Sequence, residues 1–146
     1  MIDFKRQRDD LIEYIENNYL DYLIEYNIEK PFITDEFIDF DKFKKKFVCY
    51  IEFDSSSFPT VNQFNDDCSN IENLITNIYL VFREDTANNL NDKMLNATTA
   101  FIKMIKKEQM NKIINSNVNR VDFFKYIEGN NNIVSSKLIL EINKEI

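Results

Sequence analysis

Between residues 88 and 107, apolar residues recur every three or four positions. The recurring positions are Leu90, Met94, Ala97, Phe101 and Ile105. This spacing places them on one face of a helix. Leu95, Ile102 and Met104 extend the apolar surface around most of that helix, which is typical of a helix in a protein core. The pattern therefore predicts a central helix wrapped by other helices.

The chain before this helix shows the same spacing. A first helix is predicted from a cap at Asp9 or Asp10 to the neighbourhood of Pro31, which ends it. A second is predicted over 41–53, and the serine-rich stretch 54–59 reads as a loop. The inward positions of the first helix are Ile12, Ile15, Tyr19, Tyr22 or Leu23, and Tyr26. Those that share a face around the second are Phe40, Phe43, Phe47, Tyr50 and Ile51.

The segment 61–82 continues the helical spacing without a slip. It suits one long helix, two helices that meet near 66–70, or a coiled-coil seam, and its aromatic residues favour packing in a bundle. Its apolar positions are Val61, Phe64, Cys68, Ile71, Ile75, Ile78 and Phe82.

Helical spacing also returns after the central helix, over 110–127, where 115–117 is a natural break. Gly129 suits a helix C-cap, and a last helix is predicted to start at 130–132, with Val134, Leu138, Ile139 and Ile142 as its apolar positions. The stretch 138–142 also suits a strand, but without a partner strand elsewhere we prefer a helix. The prediction is an all-α, single-domain bundle over residues 1–146.

Composition supports this fold and excludes several functions. One Gly, two Pro and no His in 146 residues favour helices with short loops, and the missing His removes the usual catalytic base. Two Cys cannot form a four-ligand metal site, and one Gly cannot form a phosphate loop. A net charge of −7 argues against nucleic-acid binding. We expect no enzyme activity, no cofactor, no metal and an intracellular protein.

The thirteen Phe and seven Tyr have two interpretations. They fill the core in place of Leu, or part of the set lines a groove for an amphipathic helix, which is a known recognition mode. Either interpretation suits a helical interaction module.

Three stretches resemble the Bcl-2 (B-cell lymphoma-2) family of apoptosis regulators, particularly its poxviral members. The run Leu-Val-Phe-Arg-Glu-Asp at 80–85, followed by Asn-Leu-Asn-Asp-Lys at 89–93, is similar to the family's first homology motif. The run Tyr-Ile-Glu-Gly-Asn at 126–130 resembles the second, and 11–22 fits the amphipathic first helix. The sequence departs from the family at Leu90 and Asn91, which stand where relatives have Trp and Gly.

The resemblance implies a viral inhibitor of apoptosis in the host cytoplasm or at the mitochondrial outer membrane. It would sequester the Bcl homology-3 (death-motif) helix of host pro-apoptotic proteins in a hydrophobic groove. Lys93 or Arg83 would meet the ligand's Asp. The expected groove residues are Phe43, Phe47, Tyr50, Ile51, Phe64, Ile75, Ile78, Tyr79, Phe82, Arg83, Asn89, Lys93, Met94 and Ala97.

Two alternatives remain open at this point. Some poxviral relatives block innate immune signalling through their outer faces, without a peptide groove. In the second alternative, the protein is a helical scaffold that dimerises along 61–82. The expected partners include no nucleic acid, and the state is a monomer or a domain-swapped homodimer. Relatives often carry a membrane anchor, so the protein either works without one or has been shortened.

Overall fold

The computed structural model describes residues 3–36, 45–57, 71–84, 89–107, 115–128 and 131–145. These residues form a five-stranded sheet and two long helices. The elements in chain order are α1 (Phe4–Leu23), a short 3₁₀ turn (Ile24–Tyr26), β1 (Phe32–Thr34), β2 (Phe47–Ser57), β3 (Ile71–Glu84), α2 (Leu90–Lys107), β4 (Asn115–Glu128) and β5 (Asn131–Glu145). The fold is therefore mixed α/β, and the predicted all-α bundle is wrong.

Helix α2 confirms the prediction for 88–107. Its buried stripe contains the five predicted positions together with Thr98, Ala100 and Met104. Asn89, which precedes the helix, has a φ of 59°. Asn tolerates this left-handed conformation better than most residues. The Asn89 carbonyl then accepts a 3.0 Å hydrogen bond from the Lys93 N–H, which fixes where α2 begins.

Helix α1 begins earlier than the sequence predicted. Asp3 is the N-cap, and its carboxylate accepts a 3.1 Å hydrogen bond from the Arg6 N–H. The buried stripe recurs every four residues and consists of Gln7, Leu11, Ile15, Tyr19 and Leu23. Asn27, in the left-handed conformation with a φ of 57°, ends the helical segment before Pro31 is reached.

The sheet has the strand order β1-β2-β3-β5-β4. Strand β1 is parallel to β2, and the other neighbours are antiparallel. Strands β3 and β5 pair along their whole length, from Ile71 opposite Glu145 to Glu84 opposite Asn132. The antiparallel register decides which side chains share a face, because successive residues of a strand point to opposite sides.

Both helices lie on one side of the sheet, which we call the helix face. Every second residue of β2, β3 and β5 packs there against α1 and α2 in one core. The other side, which we call the second face, carries a smaller cluster of Val48, Val81 and Ile133 beside Tyr79. Strands β2, β3 and β5 therefore each carry a buried apolar side chain on the second face as well.

Four segments that were predicted to be helices are strands in their described parts. The helix predicted over 41–53 is replaced, in its described part, by β2. The segment 61–82, predicted as one helix, two helices or a coiled-coil seam, belongs to β3 from Ile71 onwards, while 58–70 lies outside the described residues. In their described parts, the helical segments predicted over 110–127 and from 130–132 onwards form β4 and β5. The partner that we judged missing for a strand at 138–142 is β3 on one side and β4 on the other.

Candidate interaction surface

Strand β4 forms one edge of the sheet. It pairs with β5 on one side, and none of the described strands lies on its other side. The strand is 14 residues long. On such an edge, every second residue directs its N–H and C=O away from the sheet, which makes a template for another strand.

The second half of β4 carries four exposed apolar side chains. Phe123 is 54% exposed, Phe124 43%, Tyr126 46% and Ile127 74%, whereas nine large apolar side chains are exposed in all the described residues. On β5, Ser136 and Ser135 lie opposite the two phenylalanines. These short side chains leave the rings of Phe123 and Phe124 without the cover that a larger cross-strand neighbour provides.

The alternation of the strand distributes these side chains over both sides of the sheet. Phe124 and Tyr126 share the second face, while Phe123 and Ile127 lie on the helix face. Near Ile127, a groove of about 570 Å³ separates the start of α2 from the β4–β5 hairpin. Its lining consists of Leu90, Asn91, Lys125, Tyr126, Ile127, Asn132, Ile133 and Val134.

The first half of β4 is polar and is tied to its own sheet. The Asn119 amide donates a 2.8 Å hydrogen bond to the Glu141 carboxylate on β5. The Arg120 guanidinium donates a 2.8 Å hydrogen bond to Asp122 within the strand. A register shift between Val118 and Arg120 also interrupts the ladder there. The regular, apolar part of the edge therefore begins at Val121.

A network of polar and aromatic side chains lies at the centre of the second face. Glu52 accepts hydrogen bonds from the Asn77 amide at 3.0 Å and the Tyr79 hydroxyl at 3.4 Å. The Tyr79 ring lies 5.7 Å from the Tyr50 ring, and the Lys137 ammonium lies 5.7 Å above it. Burial, followed by the charge of Glu52, raises the pKa of Tyr50. This network holds three strands together, and it contains a single carboxylate.

The described residues contain no group of three or more acidic or Cys side chains placed to hold a metal ion. Burial raises the pKa of the Cys49 thiol strongly, so the thiol stays protonated and unreactive. Among the described helices, none combines the length and apolar character needed to cross a bilayer.

The predicted groove residues do not all line one groove: Phe47, Phe82 and Lys93 share a pocket of about 800 Å³, and the others lie elsewhere. Six of them lie in the core between the sheet and the helices: Phe47, Ile51, Ile78, Phe82, Met94 and Ala97. The rings of Phe47 and Phe82 stack with their centroids 4.1 Å apart, and the Phe47 ring also meets the edge of Tyr19. These side chains are structural, because the core that buries them is filled by the protein's own residues.

The other predicted residues are scattered. Tyr50, Ile75, Tyr79 and the buried Arg83 lie on the second face. Lys93 forms a 3.1 Å ion pair with Glu84, whereas the prediction gave it a ligand's Asp. Asn89 is exposed before α2, and Phe43 and Phe64 lie outside the described residues. Death-motif binding stays a prediction. Two of the helices that were expected to form the walls of the groove are strands β2 and β3 in the structure.

Sequence reasoning assigned the apolar end of β4 to a helix and to a homology motif. The signal that identifies it is the pair Gly129-Asn130, which separates two runs rich in aromatic and β-branched residues. Two residues of this type between such runs are typical of a hairpin turn. Interpreting Gly129 as a helix C-cap predicts a helix before it, where the structure has the edge strand β4.

No known family model matches the chain, and no curated protein matches it. Among solved structures, the chain is similar to a component of the virion of a native gene transfer agent particle. The identity is 8%, the TM-score is 0.38, and the match covers 78% of each chain. A likeness this weak carries no conclusion about fold or function.

Proposed function

We propose that this protein is a non-enzymatic assembly module that binds a polypeptide strand along the free edge of β4. The observation that carries the proposal is the coincidence of a free edge with an exposed apolar stretch over 121–127. Strand addition of this kind takes its affinity from backbone hydrogen bonds and its specificity from alternate side chains.

The composition of the edge supports this function. Natural sheets protect a free edge with short strands, β-bulges, charged side chains or proline. In β4 the register shift lies before Arg120, and Lys125 is the single charge between Phe123 and Ile127. An apolar edge left in this state favours pairing with another chain, since pairing satisfies backbone groups and covers Phe124 and Ile127 together.

The test measures amide hydrogen exchange in β4 by NMR. The protein is studied at low and at high concentration, and with a panel of ten-residue peptides that alternate apolar and polar residues. We expect strand addition to protect alternate amides of 121–127. Proline-substituted versions of the same peptides should give no protection, because proline cannot complete the ladder.

Two matched variants locate the binding surface. Ile127→Lys places a charge on the edge, whereas Leu95→Lys makes the same change at an exposed position on α2. We expect only Ile127→Lys to abolish the protection. If neither concentration nor any peptide protects the β4 amides, or if both variants weaken binding equally, the proposed function is wrong.

A further inference from the structure

We infer that the strand added to this edge is β4 of a second copy of the chain, paired antiparallel about Phe124. This inference rests on the proposed function and names its partner. We choose a second copy as the partner because residues 121–127 of one copy face compatible side chains of 121–127 of the other in this register. The product is a two-fold dimer with one continuous ten-stranded sheet.

The alternation of side chains limits the registers that are possible. If the two sheets continue each other with both helix faces on the same side, directly opposite residues must belong to the same face. A two-fold axis then places one residue of β4 opposite its own copy. Because β4 ends at Glu128, the centres with at least three residues of the strand on each side are those from Val121 to Lys125 in the regular part of the edge.

The register centred on Phe124 pairs compatible side chains at each level. Phe124 lies opposite Phe124 on the second face, and Asp122, which is paired with Arg120 in its own strand, lies opposite Tyr126. On the helix face, Val121 meets Ile127, and Phe123 meets the Lys125 ammonium. Aromatic pairs, apolar pairs and cations over aromatic rings each stabilise a sheet when they are directly opposite.

The neighbouring registers are less favourable. Centring on Asp122 or on Lys125 places two like charges directly opposite each other, which destabilises a sheet. Centring on Phe123 sets Val121 against Lys125 and Asp122 against Phe124. Centring on Val121 draws the register shift between Val118 and Arg120 into the contact.

The exposure of the residues involved is consistent with this contact. Phe123, Phe124 and Ile127 are all exposed in the single chain, so pairing buries side chains that the monomer leaves in water. Their substitution removes nothing from the core of the monomer. Variants at these positions therefore report on assembly without a large change in folding.

The test is the dimer dissociation constant from sedimentation over a series of concentrations. Phe123→Lys places a lysine opposite Lys125 twice in each dimer, and Phe123→Glu places a carboxylate there instead. Because both variants replace the same exposed ring by a charge, their difference isolates the cross-strand pair. We expect the Lys variant to dissociate about tenfold or more readily than the Glu variant.

A second variant, Phe124→Lys, sets two like charges side by side at the two-fold axis and should also yield monomers. Leu95→Lys, on α2, should leave the dimer intact. The register is wrong if the Phe123 variants behave alike. If the protein stays monomeric while peptides protect the β4 amides, this inference fails and the proposed function stands.

Discussion

The Tyr19 hydroxyl donates a 2.7 Å hydrogen bond to the Ala97 carbonyl oxygen, 78 residues away in the chain. Both residues are fully buried where α1 crosses α2, and the Tyr19 ring meets the edge of Phe101 at 5.2 Å. The narrow Ala97 side chain allows the approach. The Tyr19 side chain therefore joins the two helices by both a hydrogen bond and a ring contact.

The first prediction concerns this hydroxyl. Tyr19→Phe keeps the ring but removes the donor, so we expect a loss of about 0.5–1.5 kcal/mol in the free energy of unfolding. Urea denaturation measures it. Tyr14→Phe is the comparison, because the half-buried Tyr14 hydroxyl donates a longer bond of 3.2 Å to Met104. An equal or larger loss at Tyr14 would contradict this role of Tyr19.

Phe47 separates the groove hypothesis from the observed core. Its ring stacks on Phe82, so Phe47→Ala leaves a cavity and should reduce the free energy of unfolding by about 3–5 kcal/mol. Thermal and urea unfolding measure the loss. Phe32→Ala is the control, since Phe32 lies exposed on β1 and should cost far less. Equal effects would place Phe47 outside the core.

A polar contact between α2 and β5 gives the third prediction. The Thr98 and Ser136 hydroxyl oxygens are 2.6 Å apart, and Thr98 is also 2.8 Å from the Met94 carbonyl. We expect a double-mutant cycle of Thr98→Val and Ser136→Ala to show a coupling of about 1 kcal/mol. Additive losses would show that the two hydroxyls do not stabilise each other.

Stability should fall at alkaline pH. Burial raises the pKa of the Cys49 thiol above its ordinary 9.0 and that of Tyr19 well above 10.0. The folded state thus holds both protons more tightly than the unfolded state does. This contribution to stability is complete below pH 9.0 and is lost as the pH rises through the raised values.

Urea unfolding at a series of pH values between neutral and strongly alkaline measures this loss. Cys49→Ala removes the thiol, so we expect its stability to begin falling only near 10.0, the ordinary pKa of a tyrosine. The comparison uses the change with pH within each protein, because the substitution also changes core packing. A pH dependence identical to that of the original protein would exclude Cys49 as the cause.

The sequence predicted α2 because only one periodicity fits it. Its polar residues interrupt the apolar ones at helical spacing, and the last turn ends in Lys106 and Lys107. In β3, by contrast, Leu74, Ile78 and Phe82 fit a helix, while Leu74, Ile78, Leu80 and Phe82 also fit a strand. A strand buried on both faces shows no clear alternation, so spacing alone could not decide.

The candidate interaction surface was harder to predict than the core. Exposure of Phe124 and Ile127 depends on the position of β4 at the end of the strand order, and that order is not visible in a local pattern. The pairing of Ser135 and Ser136 with the two phenylalanines depends on it as well. Long-range pairing supplied the information that residue spacing lacked.

The two margins of the sheet differ greatly in length. Strand β1, at one margin, has three residues and is parallel to its neighbour, whereas β4 at the other has fourteen. If β4 pairs with β4 of a second copy, as we infer, that pairing occupies the long edge of both sheets. The described strands then leave only the three-residue β1 for further addition, so the inferred assembly would stop at two copies and would not grow into fibrils.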